Sequence, residues 1–97
     1  MSSSRTNRNM TTQELTLTNP YGLHVRVAAQ VVKIAKEHES DITIAKNGQV
    51  ADAKSIFQVL ALGAEQGTVL EISADGKDAE DVLSALTVIL REEPDEQ

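Results

Sequence analysis

The sequence predicts an α+β fold in which a four-stranded, mostly antiparallel sheet carries three helices on one face, an open-faced β-sandwich. Two patterns predict it: apolar and polar residues alternate in each candidate strand, and each candidate helix has a single apolar face. The elements follow in the order βαββαβα without an internal repeat. Because alternation leaves one side of every strand polar, we expect all helices on one sheet face and solvent on the other.

The first strand and helix follow a polar N-terminal segment. Residues 1–11 have no periodic apolar residues, so we expect them to form a flexible extension. Alternation over 14–18 predicts a strand, which the turn at 19–22 ends. Helical spacing predicts an amphipathic helix over 25–38. The predicted apolar face of this helix consists of Val25, Ala28, Ala29, Val32 and Ala35.

The middle of the chain predicts a β-hairpin and a later strand. Alternating segments at 41–46 and 49–53 flank Asn47-Gly48, a pair that supplies the positive φ angles of a two-residue type I′ turn. Residues 68–73 alternate again and predict the fourth strand.

Two more helices complete the expected domain. Ser55 and Gln58 have the spacing of a capping box at the start of a short helix, and Gly63 is typical of its end. Asp78 is predicted to cap the last helix. The apolar stripe of that helix consists of Val82, Leu83, Leu86, Ile89 and Leu90.

Composition and length limit the classes of function. The predicted domain spans 12–91 and precedes an acidic tail over 92–97. Zero cysteines exclude a disulfide scaffold and thiolate metal sites, and are typical of a reducing compartment, so we expect a cytoplasmic protein. A net charge of -6 with one Tyr and one Phe argues against nucleic-acid binding.

No apolar run approaches the ~20 residues of a membrane-spanning helix, so we expect no membrane insertion. Nothing indicates obligate oligomerisation, and we expect a monomer.

Candidate chemistry lies at the start of the first helix, where His24 directly precedes Val25 and Arg26. Free backbone N–H groups and the helix dipole stabilise an anion there. An unprotonated imidazole nitrogen can attack a phosphoryl group, whose oxygens the N–H groups of Val25 and Arg26 and the Arg26 guanidinium can bind. From these residues alone, His24 is either a nucleophile or a structural helix cap. The only other histidine, His38, is about 20 Å away along the helix at ~1.5 Å per residue, so we expect no metal site.

The segment NPYGLHVRVAA at 19–29 resembles the active-site segment of the HPr family, the histidine-containing phosphocarriers of the bacterial phosphotransferase system. The segment AKSIF at 53–57 is similar to the family's regulatory serine segment. Further similarity lies in LGA at 62–64, QGT at 66–68 and ISADG at 72–76. The resemblance spans roughly residues 12–90.

This resemblance implies a phosphoryl carrier with a phosphohistidine intermediate rather than a turnover enzyme. It implies that His24 accepts a phosphoryl group on Nδ1 from phosphorylated enzyme I and gives it to a histidine of an enzyme IIA domain, with no cofactor. Arg26 matches the family's phosphate partner. Ser55 matches a serine that a dedicated kinase phosphorylates, and a phosphorylase acts on, in some bacteria. Ser55 also has the simpler role of a helix cap.

A carrier needs a docking surface, and the short helix is too small to bury every apolar side chain. Some of Ile56, Phe57 and Val59 are therefore expected to be exposed beside His24, in the region through which the family contacts enzyme I and enzyme IIA.

Two residues depart from the family's pattern. Val27 replaces the usual Pro after the Arg, and Tyr21 places a ring before the glycine, where a small or polar residue is common. Both departures lie beside His24, where they can change the choice of partner and the transfer rate. Two alternatives stay open: a regulatory paralogue in a nitrogen-type or catabolite-control phosphorelay, and a non-catalytic α+β interaction module in which His24 is only a cap.

Overall fold

The computed structural model describes residues 10–91, which form a four-stranded sheet with three helices packed on one face. Residues 1–9 and 92–97, which contain most of the predicted extension and the whole predicted tail, lie outside the described residues. The elements are β1 (Met10–Thr16), α1 (Val25–Lys36), β2 (Asp41–Lys46), β3 (Gln49–Asp52), α2 (Ile56–Ala61), β4 (Val69–Asp75) and α3 (Ala79–Arg91). The strand order is β1-β4-β2-β3 and every neighbouring pair is antiparallel. The predicted fold class and element order are confirmed.

The sheet has one apolar and one open face. On β4, Leu70 and Ile72 are fully buried, whereas the intervening Glu71 is exposed. The same alternation continues across the sheet, because Leu70 pairs with Leu15 of β1 and Ile72 pairs with Ile44 of β2. The core therefore lies between one sheet face and the helices, as the alternation predicts.

The first strand is longer than the sequence predicts. Met10 and Thr11, predicted to belong to the extension, lie in β1 and pair with Asp75 and Ala74 of β4. Pairing of the backbone requires no apolar side chain, and β4 is long enough to provide partners at this end. β1 therefore begins two residues before the predicted start of the domain at residue 12.

The apolar face of α1 is rotated from the predicted one. Its buried residues are Val27, Ala28, Val31 and Ala35, whereas Val25 and Ala29 are exposed. A helix rich in Val and Ala presents two overlapping apolar stripes, and packing against α2 and α3 decides which is buried. Val27, which stands where the family that the segment resembles usually has Pro, is therefore a core residue.

Only half of the predicted capping box forms at the start of α2. The Ser55 hydroxyl accepts a hydrogen bond from the Gln58 N–H at 3.3 Å, as predicted. The Gln58 side chain does not return to Ser55, because its Oε1 instead accepts from the Asp52 N–H at 2.9 Å. The Gln58 side chain thus connects α2 to the end of β3 by a hydrogen bond.

The end of α2 is hydrogen-bonded to the hairpin formed by β2 and β3. Lys46 donates through Nζ to the Leu62 carbonyl at 2.6 Å, and Gln49 donates through Nε2 to the Ala61 carbonyl at 3.2 Å. These bonds satisfy carbonyls that a helix end leaves without partners. Gly63 follows with a φ of 59°, which confirms the predicted helix stop.

Asp78 precedes α3 as predicted, but its carboxylate binds another segment. It accepts hydrogen bonds from the Ser40 hydroxyl, from the Glu39 N–H at 2.9 Å and from the Ser40 N–H at 3.0 Å. These bonds, the Ser40 hydroxyl first, lower the pKa of Asp78 from its usual 3.8 to about 2. Asp78 therefore joins the start of α3 to the connection between α1 and β2.

Candidate functional site

The loop before α1 begins with a tight turn built on Asn19. Its side-chain oxygen accepts from the Tyr21 N–H at 3.0 Å, and its backbone carbonyl accepts from the Gly22 N–H at 3.0 Å. Pro20 lies between them and fixes φ at a turn position. The turn thus sets the backbone of Tyr21 and Gly22 without help from α1.

Gly22 packs directly against the chain before β4. Its φ is +66°, and a Cβ placed there would lie 2.3 Å from the Ala64 carbonyl oxygen and 2.9 Å from the Glu65 Cα. The next residue, Leu23, is buried and donates its N–H to the same Ala64 oxygen at 3.0 Å. Only glycine fits here. The two residues before His24 are therefore held in place by a segment some forty positions later in the chain.

His24 is the N-cap of α1 and lies at the surface, partly exposed. Its backbone is extended, its carbonyl accepts from the Ala28 N–H at 2.9 Å, and its ring Nδ1 accepts from the Arg26 N–H at 3.3 Å. Because Nδ1 accepts, the proton of the neutral ring lies on Nε2. The Nδ1 lone pair therefore points toward the unpaired amides of the helix start.

The charge around His24 favours an anion. The first turn of α1 contains no acidic residue, and Arg26 is exposed. Within residues 10–91 the guanidinium of Arg26 takes part in no ion pair, whereas Lys33 on the same helix contacts Glu37 at 3.4 Å. Arg26 is thus free to turn toward a group bound at His24.

Tyr21 contacts the His24 ring. The two ring centroids are 6.0 Å apart and the ring planes meet at 85°, a T-shaped arrangement. The phenol ring is 79% exposed. The Tyr21 ring, which was predicted to lie beside His24, is therefore in contact with the imidazole.

His38 lies at the opposite end of α1 and is half-buried. Its Nδ1 is 2.8 Å from the Ile34 carbonyl oxygen, so the ring is engaged with the helix end. In the part of the chain that the structure describes, no three His, Cys, Asp or Glu side chains form a group that could hold a metal ion. The same residues include no helix with the length and apolar character needed to cross a membrane.

The three residues predicted to form the docking surface have different environments. Phe57 is 82% exposed, and Ile56 is half-buried against the core. Val59 is fully buried, so its assignment to the docking surface is wrong. Val59 and Leu62 are three residues apart and both face the core, as helical spacing dictates. Val25, which was predicted to lie on the apolar face of α1, is instead exposed on the first turn of that helix.

Ser55 caps α2 and is partly exposed. Its hydroxyl lies at the start of a helix that packs against α1. The side chain has the capping role predicted for it and keeps a path to solvent.

Comparison with known proteins decides the family. Residues 11–92 match the family model PTS-HPr, described as the PTS HPr component phosphorylation site. The chain belongs to the HPr family. The resemblance inferred from the segment around His24 is thereby confirmed over nearly the whole domain.

Individual HPr proteins are similar in sequence and in structure. The phosphocarrier protein HPr of Buchnera aphidicola is 42% identical over 79 residues, which cover 81% of this chain and 93% of that protein. The crystal structure of HPr from Bacillus anthracis has a TM-score of 0.83 at 32% identity, with 87% of this chain and all of that chain covered. Crh, the Bacillus subtilis catabolite repression HPr, has a TM-score of 0.67 at 31% identity and the same coverage. A carrier role in the phosphotransferase system is the function these likenesses support.

Proposed function

We propose that this protein accepts a phosphoryl group on Nδ1 of His24 from phosphorylated enzyme I and passes it to a histidine of an enzyme IIA domain. The observation that carries this proposal is the Nδ1 lone pair, directed at the Arg26 N–H at the start of α1. In the first step the N–P bond at Nδ1 forms as the bond between phosphorus and its donor breaks. The second step is the same exchange toward the acceptor, so the carrier is regenerated.

Little is lost when phosphorus replaces the hydrogen bond at Nδ1. At 3.3 Å this bond is longer than the usual 2.7–3.2 Å and is therefore weak. Once phosphorus is bound to Nδ1, the Arg26 N–H can donate to a phosphoryl oxygen instead. That new bond is charge-assisted and stronger than the one it replaces. The amide that orients the free ring therefore serves the phosphorylated ring as well.

Arg26 provides the second stabilising interaction. Its guanidinium has the planar arrangement of donors that matches phosphoryl oxygens, and no carboxylate competes for it in the first turn of α1. The partial positive charge at the helix start adds to this attraction. We therefore assign Arg26 as the phosphate clamp and the N–H groups of Val25 and Arg26 as the backbone part of the site.

The decisive experiment is incubation with enzyme I and phosphoenolpyruvate. We expect an acid-labile phosphoryl group on the wild-type protein and none on His24→Ala. His38→Ala is the matched control, since it removes the other histidine and should keep the label. A label that persists in His24→Ala would refute the assignment.

Docking is assigned to the exposed apolar side chains of α2, the short helix that packs against α1. Phe57 on α2 is 82% exposed, and Ile56 is partly exposed. We propose that enzyme I and enzyme IIA domains both bind this surface in turn. We also propose that the carrier acts as a monomer, which sedimentation velocity tests directly.

Phosphorylation of Ser55 is the proposed regulation. A phosphate would add about -1.5 to -2 charges at the start of α2 and repel an acidic partner surface. The helix start tolerates this charge, so the fold should persist. A serine kinase that labels the wild type but not Ser55→Ala, with slower phosphoryl transfer in the labelled protein, would support this role.

The likeness to Crh favours a second candidate, a regulatory member of the family whose output is control of catabolite genes rather than sugar transport. The genes beside this one distinguish the two candidates. Sugar permease components indicate transport, whereas a serine kinase without a permease indicates signalling. An inert His24 in the enzyme I assay would instead favour a non-catalytic interaction module.

A further inference from the structure

Tyr21 is exposed, yet its position is defined from two sides. The Asn19 side-chain oxygen accepts from the backbone N–H of Tyr21 at 3.0 Å, and the following Gly22 packs closely against the Ala64 carbonyl. The one aromatic contact of Tyr21 within residues 10–91 is the His24 ring. A side chain that buries so little contributes little to the core, and its defined contact is with the candidate nucleophile.

The His24 ring needs a second restraint. A histidine ring rotates about χ2 in a broad energy well, so rotamer preference alone does not fix it. The hydrogen bond from the Arg26 N–H is long and acts at a single ring atom. Rotation of the imidazole about its bond to Cβ would carry Nδ1 away from the helix start and away from the Arg26 N–H.

The perpendicular contact with Tyr21 supplies this restraint. Because the two planes meet at 85°, rotation of the imidazole would change the angle between the rings and lose the T-shaped contact. The hydrogen bond fixes the direction of one ring atom, and the Tyr21 contact fixes the plane of the ring. Together they define the orientation in which Nδ1 meets an incoming phosphorus atom.

We propose that Tyr21 is a positioning residue for phosphoryl transfer, which holds the His24 ring in the plane that directs Nδ1 toward the helix start. This inference rests on the proposed function of His24. Misplacement of a reacting atom by about 1 Å can slow a reaction about 100-fold, so a ring that samples several planes should react more slowly while partner affinity is unchanged. The contact is between the two rings and does not involve the phenol hydroxyl, so a Phe ring should serve as well.

The test compares Tyr21→Ala, Tyr21→Leu and Tyr21→Phe with the wild type. We expect the kcat for phosphoryl acceptance from phospho-enzyme I to fall about tenfold in the Ala and Leu variants, with KM changed less than about twofold. Tyr21→Phe should restore the wild-type kcat. The Leu variant keeps an apolar side chain, so it separates loss of the ring contact from loss of apolar surface. Val88→Ala, which trims an exposed apolar side chain on α3, is the matched control.

A spectroscopic measurement tests the contact without any partner protein. In NMR spectra of the unphosphorylated protein, we expect the ring proton shifts of His24 to move in Tyr21→Ala and Tyr21→Leu, and to stay near wild type in Tyr21→Phe. The His38 ring signals, at the far end of α1, should not move. Thermal melts establish that each variant is folded.

The outcomes separate this inference from the proposed function. If wild-type His24 takes no phosphoryl group, the proposed function fails, and positioning for transfer fails with it even where the ring contact is seen. If the wild type is labelled but the Ala and Leu variants keep both the His24 ring shifts and the wild-type kcat, the positioning role is overturned. A rise in KM at constant kcat also overturns it, because Tyr21 would then be a docking residue.

Discussion

The backbone N–H of Arg26 donates to Nδ1 of His24 at 3.3 Å, and the guanidinium of the same residue takes part in no ion pair within residues 10–91. Arg26 can therefore donate hydrogen bonds to a phosphoryl group on His24 in two ways, through its backbone N–H and through its guanidinium. The backbone donor is fixed by the helix and survives any substitution except Pro. The side-chain donor can be removed alone, which allows the two contributions to be measured separately.

Removal of the Arg26 guanidinium should slow phosphoryl acceptance without unfolding the protein. A hydrogen bond to a charged group contributes about 1.5–3 kcal/mol, so we expect Arg26→Gln to lower kcat/KM about 10- to 100-fold. Arg26→Lys should retain part of the rate, since it keeps the charge but loses the planar pair of donors. Initial rates with phospho-enzyme I measure both. Lys33→Gln, which removes an exposed cation already paired with Glu37, should stay within about twofold of wild type.

The fold was predictable from the sequence because its signals are local. Alternation along each strand and the Asn47-Gly48 turn need only neighbouring residues to be recognised. The position of His24 and Arg26 at a helix start was likewise predictable, because the apolar spacing that marks the helix is also local. The contact of Gly22 with Ala64 was not, since it joins segments far apart in the sequence.

Errors in the prediction arose where a side chain had a choice of partners. Gln58 could return to Ser55 or bind the Asp52 N–H, and Asp78 could cap its own helix or the segment before β2. Tertiary packing decided each case. Val59 was misassigned because a helix of two turns contains too few residues for its buried side to be read from periodicity.

Gly22→Ala, in the loop before α1, should lower the stability of the protein more than Gly48→Ala, in the turn between β2 and β3. The added Cβ would collide with the Ala64 carbonyl, and the positive φ strains any other residue. We expect a loss of about 2–4 kcal/mol in the free energy of unfolding, together with slower phosphoryl acceptance. Gly48→Ala is the matched control: it also has a positive φ but meets no atom within 4 Å, so its loss should be about 1–2 kcal/mol. Equal losses measured by urea denaturation would contradict the close contact.

Alanine substitutions at Phe57 and Val59 should affect different properties, partner binding in the first case and stability in the second. Phe57→Ala trims a side chain that is almost fully exposed, so the unfolding free energy should change by less than about 0.5 kcal/mol while KM for enzyme I rises. Val59→Ala empties a buried position and should lower stability by about 1–3 kcal/mol. Denaturation curves and steady-state kinetics on the two variants measure both effects. An unchanged KM in Phe57→Ala would remove Phe57 from the docking surface.

Asp78 should make the stability of the domain depend on pH in acid. Three hydrogen bonds to Ser40 and Glu39 lower the pKa of the folded carboxyl to about 2, below the 3.8 of the unfolded chain. The unfolded state therefore binds the proton more readily, and the stabilising contribution is complete above about pH 4 and lost as the pH falls toward 2. At pH 6 we expect Asp78→Asn to have a lower free energy of unfolding than the wild type. This difference in free energy should become smaller between pH 4 and pH 2. Asp81→Asn, an exposed acid in the first turn of α3, is the matched control and should show a smaller gap. A wild-type advantage over Asp78→Asn that stayed constant down to pH 2 would show that the ionised carboxylate is not what joins α3 to the segment before β2.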